Sequence, residues 1–210
     1  MEEVTEVDFR ALSPALCYKL MINLIVPRPI ALVTTVGADG VVNAAPFSVF
    51  NMVGEDPPMV MISINKLGGG AFKDTARNIL ATGEFVVHIV DEAAAVAMDA
   101  TADPLPPDQS EIDHAGFTTA PSRLVQPPRI VEVPVAFECS RRETMESDSR
   151  YVFFGRILWL HARHGLVDTE RWRVDFSRFH PIGRFGAGQY VRLRDRFEVD
   201  AGRCVPHNGA

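Results

Sequence analysis

Three glycines followed by a lysine, an acid and a hydroxyl, Gly68-Gly69-Gly70-Ala71-Phe72-Lys73-Asp74-Thr75, are the residues of this sequence best suited to holding an anion. The pattern predicts a helix over 74–82, with cap-forming residues in front and Gly83 behind. A helix start presents N–H groups without internal partners and a partial positive charge, so it binds phosphate readily. Lys73 and Thr75 would add a charge and a directional donor. The same residues also suit a flexible glycine loop in which Asp74 or Thr75 only caps the helix, and spacing alone does not choose between the two. Upstream, Asn43-Ala44-Ala45-Pro46-Phe47-Ser48 breaks a potential strand with small residues and a proline. Ala45 and Pro46 would let a flat ligand approach the backbone, with Ser48 and Asn51 hydrogen-bonding it; the plain alternative is an edge strand blunted by its proline. Val26-Pro27-Arg28-Pro29 fixes the direction of one arginine, whose ordinary use is a surface ion pair.

Other chemistries lack their residues. Cys17, Cys139 and Cys204 are odd in number and widely spaced, which argues against a disulfide scaffold and a structural zinc site. His161 and His164 stand three apart with no thiol or carboxylate beside them, so no metal is expected. The sequence has no Gly-x-Ser-x-Gly elbow, Walker loop, His-Glu-x-x-His or Rossmann glycine fingerprint.

The elements that would carry these residues are mostly strands. Segment 30–36 is β-branched and ends at Gly37-Ala38-Asp39-Gly40, a hairpin-type turn from which 41–48 would return antiparallel. Segments 59–64, 85–90 and 133–139 are further short apolar strands, and 151–161 is a longer one in which Gly155 would mark a bulge. Besides the helix at 74–82, the sequence predicts an Ala-rich helix over 91–102 and a short one over 168–176. Residues 103–108 read as a loop, 1–201 as one domain and 202–210 as a loose tail. Strands at irregular short spacing with a few inserted helices point to a mainly β, antiparallel barrel with flanking helices rather than to βαβ units.

Bulk properties narrow the class further. The 210 residues are 47% hydrophobic and 23% charged, enough for one well-cored domain. A net charge of −6 without a basic stripe argues against nucleic acid as a partner. No apolar run approaches the ~18–20 residues of a membrane helix. The acidic start, Met1-Glu2-Glu3, is unlike a secretory signal, so a cytoplasmic location is expected.

The ordered series Pro27-Arg28-Pro29-Ile30-Ala31-Leu32-Val33-Thr34-Thr35, Asn43-Ala44-Ala45-Pro46-Phe47-Ser48, Asp56-Pro57-Pro58, Lys73-Asp74-Thr75 and Asn78-Ile79 resembles the flavin-reductase-like, FMN-binding split-barrel proteins. The resemblance continues through Glu84-Phe85-Val86-Val87, Phe137-Glu138-Cys139, Gly155-Arg156-Ile157 and His161, and ends with Pro181, Arg184-Phe185-Gly186 and Tyr190. It implies an antiparallel split β-barrel of about six or seven strands, acting as a homodimer. It also implies bound FMN, with FAD as the alternative, and NADH or NADPH as electron donor. Thr34, Thr35, Ala45, Pro46, Phe47 and Ser48 would line one side of the flavin, and Ser63, Ile64 and Asn65 would meet it from the next strand. Lys73 and Thr75 would hold its phosphate, with Arg28 a further candidate for that anionic end. Arg184 and Tyr190 would belong to a closing C-terminal segment, and His161 would stand near the nicotinamide, its alternative role being a polar strand end. The activity implied is NAD(P)H-dependent flavin reduction supplying a partner oxygenase. Direct action on an organic substrate and electron carriage without NAD(P)H are the alternatives, because fold does not fix the substrate.

Overall fold

The computed structural model describes residues 3–106, 109–200 and 203–206. Its centre is one antiparallel sheet of seven strands: β1 (Ala31–Val36), β2 (Val42–Phe47), β3 (Phe50–Glu55), β4 (Pro58–Asn65), β5 (Glu84–Ile89), β6 (Val135–Glu146) and β7 (Arg150–Ala162). The spatial order is β2-β1-β5-β6-β7-β4-β3. The two edge strands are consecutive in the chain and meet through Ser48 and Val49, whose carbonyl accepts the N–H of Ser63 at 2.8 Å. No ladder joins β2 to β3 among the described residues, so the sheet curls on itself and stays split along that seam.

Alternation of side chains sorts the core into two bodies. Val33, Ile62, Phe85, Val87 and Phe153 fill the inside of the barrel. Leu32, Ala44, Met98, Ile130 and Ile182 form a second cluster on its outer side. Among the described residues, four α-helices surround the sheet: α1 (Pro14–Leu24), α2 (Asp74–Thr82), α3 (Ala95–Ala100) and α4 (Glu111–Ala115). α2 sends Ala76 and Ile79 into the inner core and so plugs one end of the barrel. It stops where Gly83 turns left-handed at φ 75° and donates its N–H to Ile79. The bulge at Gly155 is present: Phe154 pairs with Glu143 but Gly155 pairs with Arg141.

Three expectations are corrected. Segment 168–176 is not a helix but a small hairpin, Val167–Asp168 against Arg173–Val174, because the Asp168 carboxylate accepts the N–H groups of Glu170 and Arg171 and turns the chain. Segment 91–102 is not one helix; Asp91 caps a single 3₁₀ turn, Glu92–Ala94, before α3 begins. Within the tail, Arg203–Pro206 pairs with Phe197–Asp200 as a strand, while 201–202 and 207–210 lie outside the described residues. Helices α1 and α4 were not foreseen.

Candidate functional site

The start of α2 has the character of an anion site. No side chain caps it: Lys73 occupies the N-cap position without a capping hydrogen bond. Asp74 is taken up by an ion pair with Arg77, one turn on. The Lys73 ammonium makes no ion pair among the described residues and stands 6.0 Å from the centre of the Phe47 ring. Thr75 is different. It is 1% exposed, and its hydroxyl accepts a hydrogen bond from the Asn43 amide at 2.9 Å. The Asn78 amide donates in turn to Thr35 at 3.1 Å, so α2 is tied to β1 and β2 by a buried polar cluster. Thr34 is equally enclosed, its hydroxyl donating to the Pro128 carbonyl at 2.6 Å. Thr34, Thr35 and Thr75 therefore stand behind the site rather than on its surface.

A groove of about 740 Å³ runs between α1 and the ends of β4 and β7, with Tyr18, Met21, Arg28, Asn65, Lys66 and Arg150 among its walls. α1 forms because Ser13 accepts the Leu16 N–H and Pro14 starts the first turn, yet none of its residues is buried. Its apolar residues Leu16, Met21 and Leu24, and Ile25 just after it, stay open to solvent. Arg28 holds this helix in place. Its guanidinium donates to the carbonyls of Ile22 and Ile25, the latter at 2.8 Å, and to Ser48 Oγ and the Phe185 carbonyl, each at 3.4 Å. Burial draws its pKa downward. Arg28 is thus the tie between α1, the β2–β3 corner and the C-terminal loop, not a free anion ligand. Ser63 is buried, and Ile64 points into the inner core, whereas Asn65 is exposed at the strand end and lines the groove.

On the other side of α1 lies a cavity of about 240 Å³ that shares Tyr18, Ile22 and Arg28 with the groove and adds Pro46, Phe47 and Ser48. Arg184 and Tyr190 close it. The Arg184 guanidinium lies 4.5 Å from the Tyr190 ring centre, and the Tyr190 hydroxyl donates to Asp99. Burial and that carboxylate push the phenol up to about 12. Ala45, half-buried, packs on the inner core at the same edge strand.

The structure does not bring His161 to these residues. It sits at the far end of β7 from Arg150, eleven residues or roughly 35 Å along the strand, on the outer face of the barrel. Its Nε2 meets Glu138 Oε1 at 2.5 Å. Glu138 is fully buried and also accepts the N–H groups of Arg123 and Leu124 at 2.6 Å. Although burial opposes ionisation, these hydrogen bonds hold its carboxyl below the usual range.

Several contributors were not legible as site residues. Arg150 donates to Ser63 and lies 5.3 Å from the Tyr18 ring, on a hairpin whose only signal was Ser147-Asp148-Ser149 beside the end of β4. Lys66 pairs with Glu146 at 2.7 Å and rests 4.8 Å over Tyr151, itself stacked on Phe72. Glu138 had one signal, a lone acid between Phe137 and Cys139.

A seven-stranded split barrel with an uncapped, lysine-bearing helix start beside its seam defines a class of flavin-handling folds. The chain belongs to the flavin reductase like domain family, which it matches over residues 23–181, and is a flavin-dependent oxidoreductase. It is 40% identical over 175 residues to an uncharacterized protein of Aquifex aeolicus, covering 83% of this chain and 89% of the relative. Nitrilotriacetate monooxygenase component B from Bacillus cereus is 32% identical with a TM-score of 0.88, over 94% of this chain and 100% of that one. Pseudomonas fluorescens 2-nitrobenzoate 2-nitroreductase is 36% identical with a TM-score of 0.86, over 98% and 100%.

Proposed function

We propose that this protein is a cytoplasmic, homodimeric NAD(P)H-dependent flavin reductase that binds FMN, with FAD as the alternative, and supplies reduced flavin to a partner oxygenase. The observation that carries this reading is the uncapped start of α2 with the unpaired Lys73 ammonium beside it. A phosphate there would satisfy first-turn N–H groups and a cation together. When bound, the flavin supplies the hydride-accepting ring, and the protein's task is to bind and orient it. Lys73 would hold the phosphate as a point charge. Pro46, Phe47 and Ser48 would flank the ligand along the open seam, with Asn65 and Arg150 offering polar contacts from the groove. Thr35 and Thr75 would act from behind by fixing α2 against the sheet, while Thr34 anchors the chain at Pro128.

The apolar, unburied surface of α1 supports a second copy as its cover, since an exposed apolar patch of this kind marks an interface or ligand site. The name of the Bacillus cereus neighbour, a monooxygenase component, supports an oxygenase partner. The Pseudomonas fluorescens neighbour is a nitroreductase, which favours a second reading: direct action on a small organic substrate in the cavity closed by Arg184 and Tyr190.

The test is to mix purified protein with NADH or NADPH and free FMN and follow loss of nicotinamide absorbance. Oxidation of neither nucleotide overturns the first reading, and turnover of a nitroarene without any added protein selects the second. Sedimentation of the protein at twice its chain mass is the expected result for the dimer.

A further inference from the structure

We propose that the pocket around His161, on the outer face of the barrel, is a separate binding site for a small monocarboxylate with an apolar body. The pocket encloses about 330 Å³, at the small end of ligand sites. Its walls include three cationic or potentially cationic groups, Arg129, His161 and Arg163. They also include the apolar side chains of Ile130, Val133 and Leu160.

His161 and Arg163 each have a carboxylate partner, Glu138 and Asp91, but Arg129 has none among the described residues. Arg129 makes no ion pair or side-chain hydrogen bond among the described residues, and its Nε is buried with no partner at all. A buried guanidinium N–H without an acceptor is costly, and a planar carboxylate is the group its fork fits best. Glu138 is not one of the pocket's walls, and its oxygens are already engaged. It is filled by the backbone N–H groups of Arg123 and Leu124 and by His161, at 2.5–2.6 Å. That arrangement fixes the His161 ring by one nitrogen and leaves Nδ1 unpaired, with the side chain 26% exposed. Arg163 is only partly spent, 3.4 Å from Asp91 and donating to the Glu132 carbonyl at 3.1 Å. Arg129 and Arg163 thus line the pocket with N–H groups suited to an oxyanion, while the apolar walls call for a hydrocarbon body beside it. Inorganic phosphate would satisfy the first requirement only.

This assignment is independent of the flavin reading, because Lys73 and the groove by α1 take no part in it. Calorimetric titration of the full-length protein with sodium benzoate tests it. The expected result is saturable binding of one benzoate per chain, clearly tighter than inorganic phosphate. Arg129→Gln and Arg163→Gln should each weaken benzoate at least tenfold, with Arg129→Lys falling between wild type and Arg129→Gln, while flavin binding and nicotinamide oxidation stay at wild-type values. Lys73→Ala should leave the benzoate isotherm unchanged. No saturable binding, phosphate binding as tight as benzoate, or loss of benzoate in Arg150→Gln but not in Arg129→Gln overturns the proposal. Should Arg129→Gln melt early, Arg129→Lys and Arg163→Gln measured below their melting points decide: wild-type affinity in both overturns the proposal, and weakened benzoate in both supports it.

Discussion

Gly155 and Phe85 occupy space that admits a phenyl ring or a methyl group but not both: a Cβ on Gly155 would stand 2.3 Å from Cζ and 3.0 Å from Cε1 of the Phe85 ring. Phe85 is fully buried in the inner core, so the ring has nowhere to retreat. Gly155→Ala is expected to destabilise the fold by about 1–3 kcal/mol through overpacking. Urea denaturation measures this, and adding Phe85→Leu should recover part of the loss.

His88 ties stability to pH. Its Nδ1 lies 2.9 Å from the Leu32 carbonyl, and its Nε2 accepts the Ile130 N–H at 2.8 Å, so the ring is held neutral in one tautomer. Burial pulls its pKa down to about 4 from 6.5. The unfolded chain takes up this proton first as pH falls, so the contribution is complete above pH ~6.5 and is lost between there and pH ~4, by about 3 kcal/mol. Denaturation midpoints between pH 4 and 7 should follow that slope, and His88→Gln, though less stable throughout, should flatten it.

Lys73→Ala should weaken FMN binding about 10- to 100-fold, the size of a lost charge-assisted contact. The side chain is half-buried, with its ammonium beside the Phe47 ring and in no ion pair among the described residues, so the melting temperature should hardly move. Fluorescence quenching of added FMN gives the affinity.

Thr75→Ala should show the opposite balance. Removing the hydroxyl strips the buried Asn43 amide of its 2.9 Å acceptor and should destabilise by about 1–3 kcal/mol. Any loss of FMN affinity should track the loosening of α2, visible as faster amide exchange in 76–79.

Arg28→Ala should free α1. Four acceptors lose their shared donor, two of them carbonyls at the end of that helix. Hydrogen exchange should rise across 14–25 while the barrel strands keep their protection, and proteolytic nicking should begin in the same segment.

The barrel strands were legible because β-branched and apolar runs at 30–36, 59–64 and 85–90 are bounded by turn residues, and Gly155 marked its bulge from sequence. The α1 helix was not, because a segment apolar at nearly every position has no polar face to reveal a helical period. Segment 168–176 misled because Asp168 suits a helix cap and a turn equally. The helix start at Lys73 was recognisable from the glycines before it and the cap-forming residues around it. Thr35 and Thr75 look identical in sequence whether they face a ligand or a buried amide, and only the position of Asn43 and Asn78 separates the two; Thr34 is likewise turned away, to the Pro128 carbonyl. Arg28 was a candidate for an anion's partner, yet three of its four acceptors are main-chain carbonyls, which no side-chain pattern announces.

The strand order has a consequence for synthesis. β6 and β7, the last barrel strands to leave the ribosome, lie between β5 on one side and β4 on the other. Until residue 162 emerges, the nascent chain carries two unfinished sheets, β2-β1-β5 and β4-β3, each with an open inner edge of apolar strand. Such edges pair with other chains as readily as with their own missing hairpin. The late hairpin therefore works as a keystone, and translation speed through 135–162 governs how long the two halves stay exposed.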